Sequence, residues 1–179
     1  MKRIEYKIRD VNLEWLETIL EDHQATKTFE GELFTTYFDK SGEEFVKSGQ
    51  RLSVRHKGSH ATITFRDKYS KLASGDVQEY TLEADDAEAA TNLLLAVGFK
   101  KFKTFKNYRY DYKVDCKIDC ITISFDKYLD DLEFIPEFMT IEGDSEEKIM
   151  KWVEKFGYLK SDCEAISVVD LIKDYRSKK

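Results

Sequence analysis

Proline occurs once in this chain of 179 residues, and glycine only eight times. That scarcity leaves no Pro- or Gly-rich linker and no visible domain boundary, so the whole length, 1–179, reads as one domain with a sizeable core. Cysteine is also scarce: Cys116, Cys120 and Cys163 are an odd, sparse set. With a basic start, Met1-Lys2-Arg3, that leads into a strand rather than an export signal, they predict a reduced, cytoplasmic protein. Cys116 and Cys120 have no second ligand pair, which argues against a metal site there. His23, His56 and His60 show no ligand spacing and read as surface residues. No apolar run approaches the length that spans a membrane. An excess of positive charge is missing too. The net charge is −6, which argues against a general nucleic-acid or membrane-surface protein. The 29 Lys and Arg residues still suffice for a local basic cavity.

What is present in quantity is alternation. In Arg3-Ile4-Glu5-Tyr6-Lys7-Ile8-Arg9, the charged residues take one strand face and Ile4, Tyr6 and Ile8 the other. Such a face is either a solvated edge or the wall of a wet, charged barrel. The pattern recurs. Arg51, Ser53 and Arg55 share a face against Leu52 and Val54, and Thr62, Thr64 and Arg66 share one on the return strand, with the turn near Lys57-Gly58-Ser59. Glu79, Thr81 and Glu83 share a face within a strand over 76–83. Residues 25–39 and 100–113 read as extended, 117–126 as a hairpin partner, and 138–142 as a short strand. Helices are predicted at 11–21 with Asn12 as cap, from Asp85-Asp86 through Leu95 with Gly98 as stop, at 146–155 behind Ser145, and near 167–175.

About eight strands in hairpin order, each with one apolar and one polar face, predict an α+β fold: an eight-stranded antiparallel barrel with helices outside. Charges of both signs inside would partly neutralise each other, and an anionic ligand would complete the balance.

At this level the residues resemble the CYTH family, which includes class IV adenylyl cyclases and thiamine triphosphatases. The resemblance rests on an ordered set: Glu5-x-Lys7-x-Arg9, Tyr37-Phe38-Asp39, Gly49-x-x-Leu52 with Arg55, Arg66, Glu79, Val97-Gly98-Phe99-Lys100, Arg109 with Tyr112, Asp126, and Ile141-Glu142. It implies a triphosphate tunnel whose phosphate ligands are Lys7, Arg9, Arg51, Arg55, Arg66 and Arg109. It implies Glu5 and Lys7 as catalytic residues, and Glu5, Glu79, Asp126 and Glu142 as carboxylates for Mg²⁺ or Mn²⁺. Arginine suits phosphate because its fork binds two oxygens at once, and Mg²⁺ takes one or two carboxylates together with phosphates and waters.

The sequence also departs from the family. Arg3 and Thr140 stand where metal-binding glutamates are usual, Thr81 replaces an acidic residue, Ser53 an arginine, and Asn107 a lysine, with Lys106 beside it on the opposite face. The phosphate half is kept and the metal half is thinned, so the metal is expected to be weakly bound, as one ion or none. The partner implied is a small polyphosphate or nucleotide, with no nucleic acid and no membrane, and the chain is a monomer or homodimer. Hydrolysis of a triphosphate is the leading expectation. Cyclisation of ATP is the second enzyme reading, and a phosphate-binding protein without turnover is the alternative.

Overall fold

The computed structural model describes residues 4–58, 60–67, 78–114 and 120–177. Arg3, Ser59, the first residues of the strand expected at 76, Cys116 and Lys117 lie outside these. The elements run β1 (Ile4–Arg9), α1 (Leu13–Asp22), β2 (Thr26–Asp39), α2 (Glu44–Ser48), β3 (Arg51–Lys57), β4 (His60–Arg66), β5 (Glu79–Ala84), α3 (Ala87–Ala96), β6 (Lys100–Val114), β7 (Ile121–Tyr128), β8 (Phe138–Gly143), α4 (Glu146–Lys155) and α5 (Val168–Ser177). The eight strands form one sheet in the order β1-β8-β7-β6-β2-β3-β4-β5. β1 and β5 are the outer strands of that order, and the expected eight antiparallel strands are present.

The chain divides into two compact units, one holding the described residues of 31–107 and the other those of 4–30 and 108–177. In the first unit, β3 and β4 follow the expected hairpin, with Leu52 opposite Phe65 and Val54 opposite Ile63. Phe38, Leu52, Val54 and Ala61 form an apolar face against Ala90 and Leu94 of α3 and Phe45 of α2. Asp86 caps α3 by accepting from the Glu88 and Ala89 N–H groups. The short α2 begins at Glu43, which offers no side-chain cap. Asp39 takes over: Oδ1 accepts from Lys40 and Phe45 N–H at 2.7 and 3.0 Å, and Oδ2 from Val46 N–H at 3.0 Å. Gly49, in the left-handed region at φ +80°, ends that helix, two residues before β3 begins.

In the second unit, β1 pairs β8 and β8 pairs β7. Tyr6, Ile141 and Ile123 stand opposite one another on one face, as do Ile8, Met139 and Phe125. This face buries against Leu16 and Leu20 of α1 and Ile149, Trp152 and Phe156 of α4. Asn12 caps α1 and Ser145 caps α4, as their side chains predicted. Beyond α4 the chain returns to β1, where Lys7 and Glu164 exchange both backbone hydrogen bonds at 2.9 Å. Cys163 is a free thiol, whereas Cys120 is disulfide-bonded, which corrects the expectation of an all-reduced set. No helix among the described residues is long and apolar enough to cross a membrane.

Candidate active site

The period of two that buries Ile4, Tyr6 and Ile8 turns Glu5, Lys7 and Arg9 to the opposite face of β1. Register extends that face across the second unit. Glu5 faces Glu142, Lys7 faces Thr140, and Arg9 faces Phe138. Across β8, Thr122, Ser124 and Asp126 stand opposite Glu142, Thr140 and Phe138. Lys7 is only 2% exposed, and its ammonium is ion-paired with Glu5. A buried lysine of this kind needs a carboxylate beside it. Thr140 is also buried, and its Oγ1 has no hydrogen-bond partner among the described residues.

Further along this face Arg109 binds Asp126 through both forks, Nε to Oδ1 at 2.7 Å and Nη2 to Oδ2 at 2.6 Å. Ser124 Oγ donates to Asp111 Oδ1 at 2.7 Å, and Asp111 lies 3.9 Å from Arg109. Burial works against the Arg109 charge, but Asp126 and Asp111 outweigh it and hold the guanidinium well above its ordinary pKa. Arg9 Nη2 donates to Glu164 Oε2 at 2.6 Å and to Asp174 Oδ2 at 2.9 Å. The Glu164 hydrogen bond is the main cause that raises the Arg9 pKa.

In the first unit the polar face runs in rows across β2, β3, β4 and β5. Thr35, Arg55, Thr62 and Glu83 make one row, and Tyr37, Ser53, Thr64 and Thr81 the next. Arg51, Arg66 and Glu79 make a third. Arg66 Nε donates to Glu79 Oε2 at 2.5 Å, and Thr81 Oγ1 donates to Glu79 Oε1 at 3.2 Å. Arg51 stands directly opposite Arg66, a juxtaposition of like charges that destabilises a strand pair. Its Nη1 donates to the Gln50 carbonyl at 2.6 Å, and its Nε is buried without a partner among the described residues. The Arg55 side chain makes no hydrogen bond or ion pair with any described residue, while its backbone lies in the β2–β3–β4 ladder. Lys106 is taken up by Glu32 at 2.8 Å, while Asn107, at the expected lysine position, is buried.

The sequence-predicted residues therefore fall into two kinds. Lys7, Arg9, Arg66 and Arg109 each hold a carboxylate already, and of the expected metal ligands Glu5, Glu79 and Asp126 are the carboxylates of three of those pairs. Arg51 and Arg55 are the cations with capacity to spare. Glu5 and Glu142 are opposed on neighbouring strands, but among the described residues no cluster of three or more His, Cys, Asp or Glu is placed to hold a metal. Sequence reasoning missed Asp111, Ser124, Glu164 and Asp174. The period of two puts Asp111 beside Arg109, so that one was within reach; Glu164 and Asp174 carry no local signal.

The CYTH domain sequence model matches residues 1–163. The chain belongs to the CYTH family. No curated protein sequence matches it. Among solved structures it is similar to the PH1012 protein from Pyrococcus horikoshii OT3, at 23% identity and a TM-score of 0.74, covering 96% of this chain and 99% of that one. It is similar to a Vibrio parahaemolyticus protein assigned provisionally as an adenylate cyclase, at 15% identity and a TM-score of 0.77, covering 97% and 98%. It is also similar to HpAC1 from Hippeastrum, likewise assigned provisionally as an adenylyl cyclase and described as having a dominant triphosphatase activity, at 15% identity and a TM-score of 0.67, covering 100% and 97%. At these identities the likeness carries the fold alone, the eight-stranded antiparallel α+β fold of CYTH proteins. In this CYTH chain the residues after 163, including Glu164 and Asp174, lie beyond the match.

Proposed function

We propose that this CYTH protein, as a single domain, hydrolyses a small triphosphate compound with the help of Mg²⁺ or Mn²⁺. One observation carries the reading. In the second unit, Arg9 Nε and Thr140 Oγ1 are buried side-chain polar atoms without a partner among the described residues, and both belong to the polar faces of the paired strands β1 and β8. A buried polar atom left unpaired costs about 1–3 kcal/mol, so such a set calls for a ligand rich in acceptors. A phosphate chain has those acceptors, and the similar proteins from Vibrio parahaemolyticus and Hippeastrum carry provisional cyclase assignments, the latter with a dominant triphosphatase activity.

In this reading Lys7, Arg9 and Arg109 offer charge to phosphate on the polar face of the second unit to the extent that their carboxylates release them, and Arg51, Arg55 and Arg66 offer phosphate ligands on the polar face of the first. The donor set fits a divalent cation only sparsely. Glu5 and Glu142 would hold it, which is the number of carboxylates Mg²⁺ takes when phosphate oxygens and waters complete its shell. Such an ion would neutralise charge developing on the phosphates. Lys7, locked in place by burial, positions Glu5 and supplies a fixed positive charge beside the bound phosphate. The substrate's organic group is open to tripolyphosphate, ATP and thiamine triphosphate alike.

A second reading, binding without turnover, is favoured by Thr140, an uncharged residue in the row of Lys7, and by the engagement of Glu5 with Lys7. The experiment is to incubate the protein with each of the three triphosphates and each metal, and to identify the products. Orthophosphate that disappears in Arg55→Ala supports hydrolysis. Cyclic AMP with pyrophosphate moves the assignment to a cyclase. Micromolar binding without product moves it to the binder, and neither binding nor product refutes the triphosphate reading.

A further inference from the structure

The two carboxylates on Arg9 come from a stretch that the CYTH match does not reach. Glu164 is placed by its backbone, which pairs with Lys7 along the free edge of β1. Asp174 is placed by α5, which is anchored by burial of Leu171 and Ile172. Ser167 starts that helix, its Oγ accepting from Asp170 N–H at 3.1 Å. The Arg9 guanidinium also lies over the Tyr175 ring, 5.2 Å from its centre, and Tyr175 OH donates to Asp10 Oδ1 at 3.4 Å. Arg9 is thus held from one side by groups spread over 164–175. Both carboxylates converge on its Nη2, whereas Nε is buried and unpaired.

This is an unequal arrangement. One nitrogen of the fork serves two anionic oxygens, and another serves none. A guanidinium normally meets one bidentate acceptor with two of its nitrogens. Glu164 and Asp174 are 39% and 50% exposed at their side chains, so both can turn out to water at little cost, while Arg9 at 13% cannot.

We propose that residues 164–177 act as an internal acidic competitor for Arg9, which a phosphate ligand displaces from the guanidinium when it binds. The competition rests on the triphosphate reading above; the anchoring of the segment by Arg9 does not. The displaced oxygens are replaced by phosphate oxygens that also reach Nε, so the ligand gains a bidentate contact and the segment loses its tether. The segment then reports occupancy: it is held in the free protein and loosened in the complex.

The test has two arms. The first measures hydrogen exchange in ligand-free protein. Arg9→Ala is expected to lower protection of the Leu171 and Ile172 amides while β7 and β8 amides keep theirs, and Arg9→Lys is expected to fall between. Unchanged α5 protection in Arg9→Ala overturns the inference without reference to any ligand. The second arm measures tripolyphosphate affinity by calorimetry. Glu164→Gln with Asp174→Asn is expected to bind roughly two- to fivefold tighter, the range set by partly exposed ion pairs. That gain should vanish when Arg9→Ala is added. Parent-level affinity in the neutralised variant overturns the competition alone. Failure of every variant and the parent to bind overturns the phosphate reading together with it.

Discussion

Removing one side of the Arg109–Asp126 pair is the sharpest way to separate scaffold from chemistry on the polar face. Asp126 is 1% exposed and Arg109 16%, and two short charge-assisted hydrogen bonds join them. In Asp126→Asn the guanidinium keeps its burial and loses its nearer counter-charge, with Asp111 left 3.9 Å away. Breaking a buried pair from one side costs about 3–5 kcal/mol. For a chain of this size each kcal/mol moves the melting temperature by about 2–4 °C, so a drop of roughly 6–20 °C follows. The double substitution Arg109→Met with Asp126→Leu removes both charges and should recover much of the loss. The assay is urea and thermal unfolding of the parent, both single variants and the double variant, run beside a metal titration of activity. If Asp126→Asn unfolds within about 1 kcal/mol of the parent but needs far more Mg²⁺, the reasoning is refuted. Asp126 would then be a metal ligand that Arg109 shields in the free protein.

Three further outcomes are expected. Burial alone would raise the Asp39 pKa, but the N–H groups of Phe45, Val46 and Lys40, with help from Arg51, hold it below the ordinary value. Its stabilisation is therefore present above the unfolded value near 3.9 and lost as pH falls through the lower folded one; Asp39→Asn should cost about 1–2 kcal/mol at pH 7 and progressively less below about pH 4, read by unfolding at several pH values. Gly143→Ala places a Cβ 2.5 Å from Ile121 Cδ1 inside the core and should cost about 1–3 kcal/mol by urea melts, whereas parent-like stability would show that Ile121 moves freely. Thr140→Glu adds a carboxylate beside Glu142 and should tighten Mg²⁺ binding by on the order of 1 kcal/mol, measured by calorimetry; unchanged affinity would place the metal elsewhere.

The sequence by itself determined whatever repeats every two or four residues. Alternation in β1, β3 and β4 separated the buried face from the polar one, and Asn12, Asp86 and Ser145 announced their helices, because both signals depend on backbone geometry within a few residues. The ordered motifs from Glu5 to Glu142 likewise pointed to the CYTH family, which the match over 1–163 shows. Lys7 and Glu5 were legible as neighbours on one strand face. Partner choice was not. Arg9 meets residues 155 and 165 positions away, and Arg109 meets Asp126 across a strand pair. A guanidinium attracts any carboxylate with similar energy, and only the register of β6, β7 and β8 and the return of the chain along β1 decide which one comes within 3 Å. The same holds for strand order. Alternation prescribes two-faced strands and hairpins prescribe neighbours, but β1 beside β8 and β2 beside β6 join strands far apart in sequence, a choice no local pattern encodes.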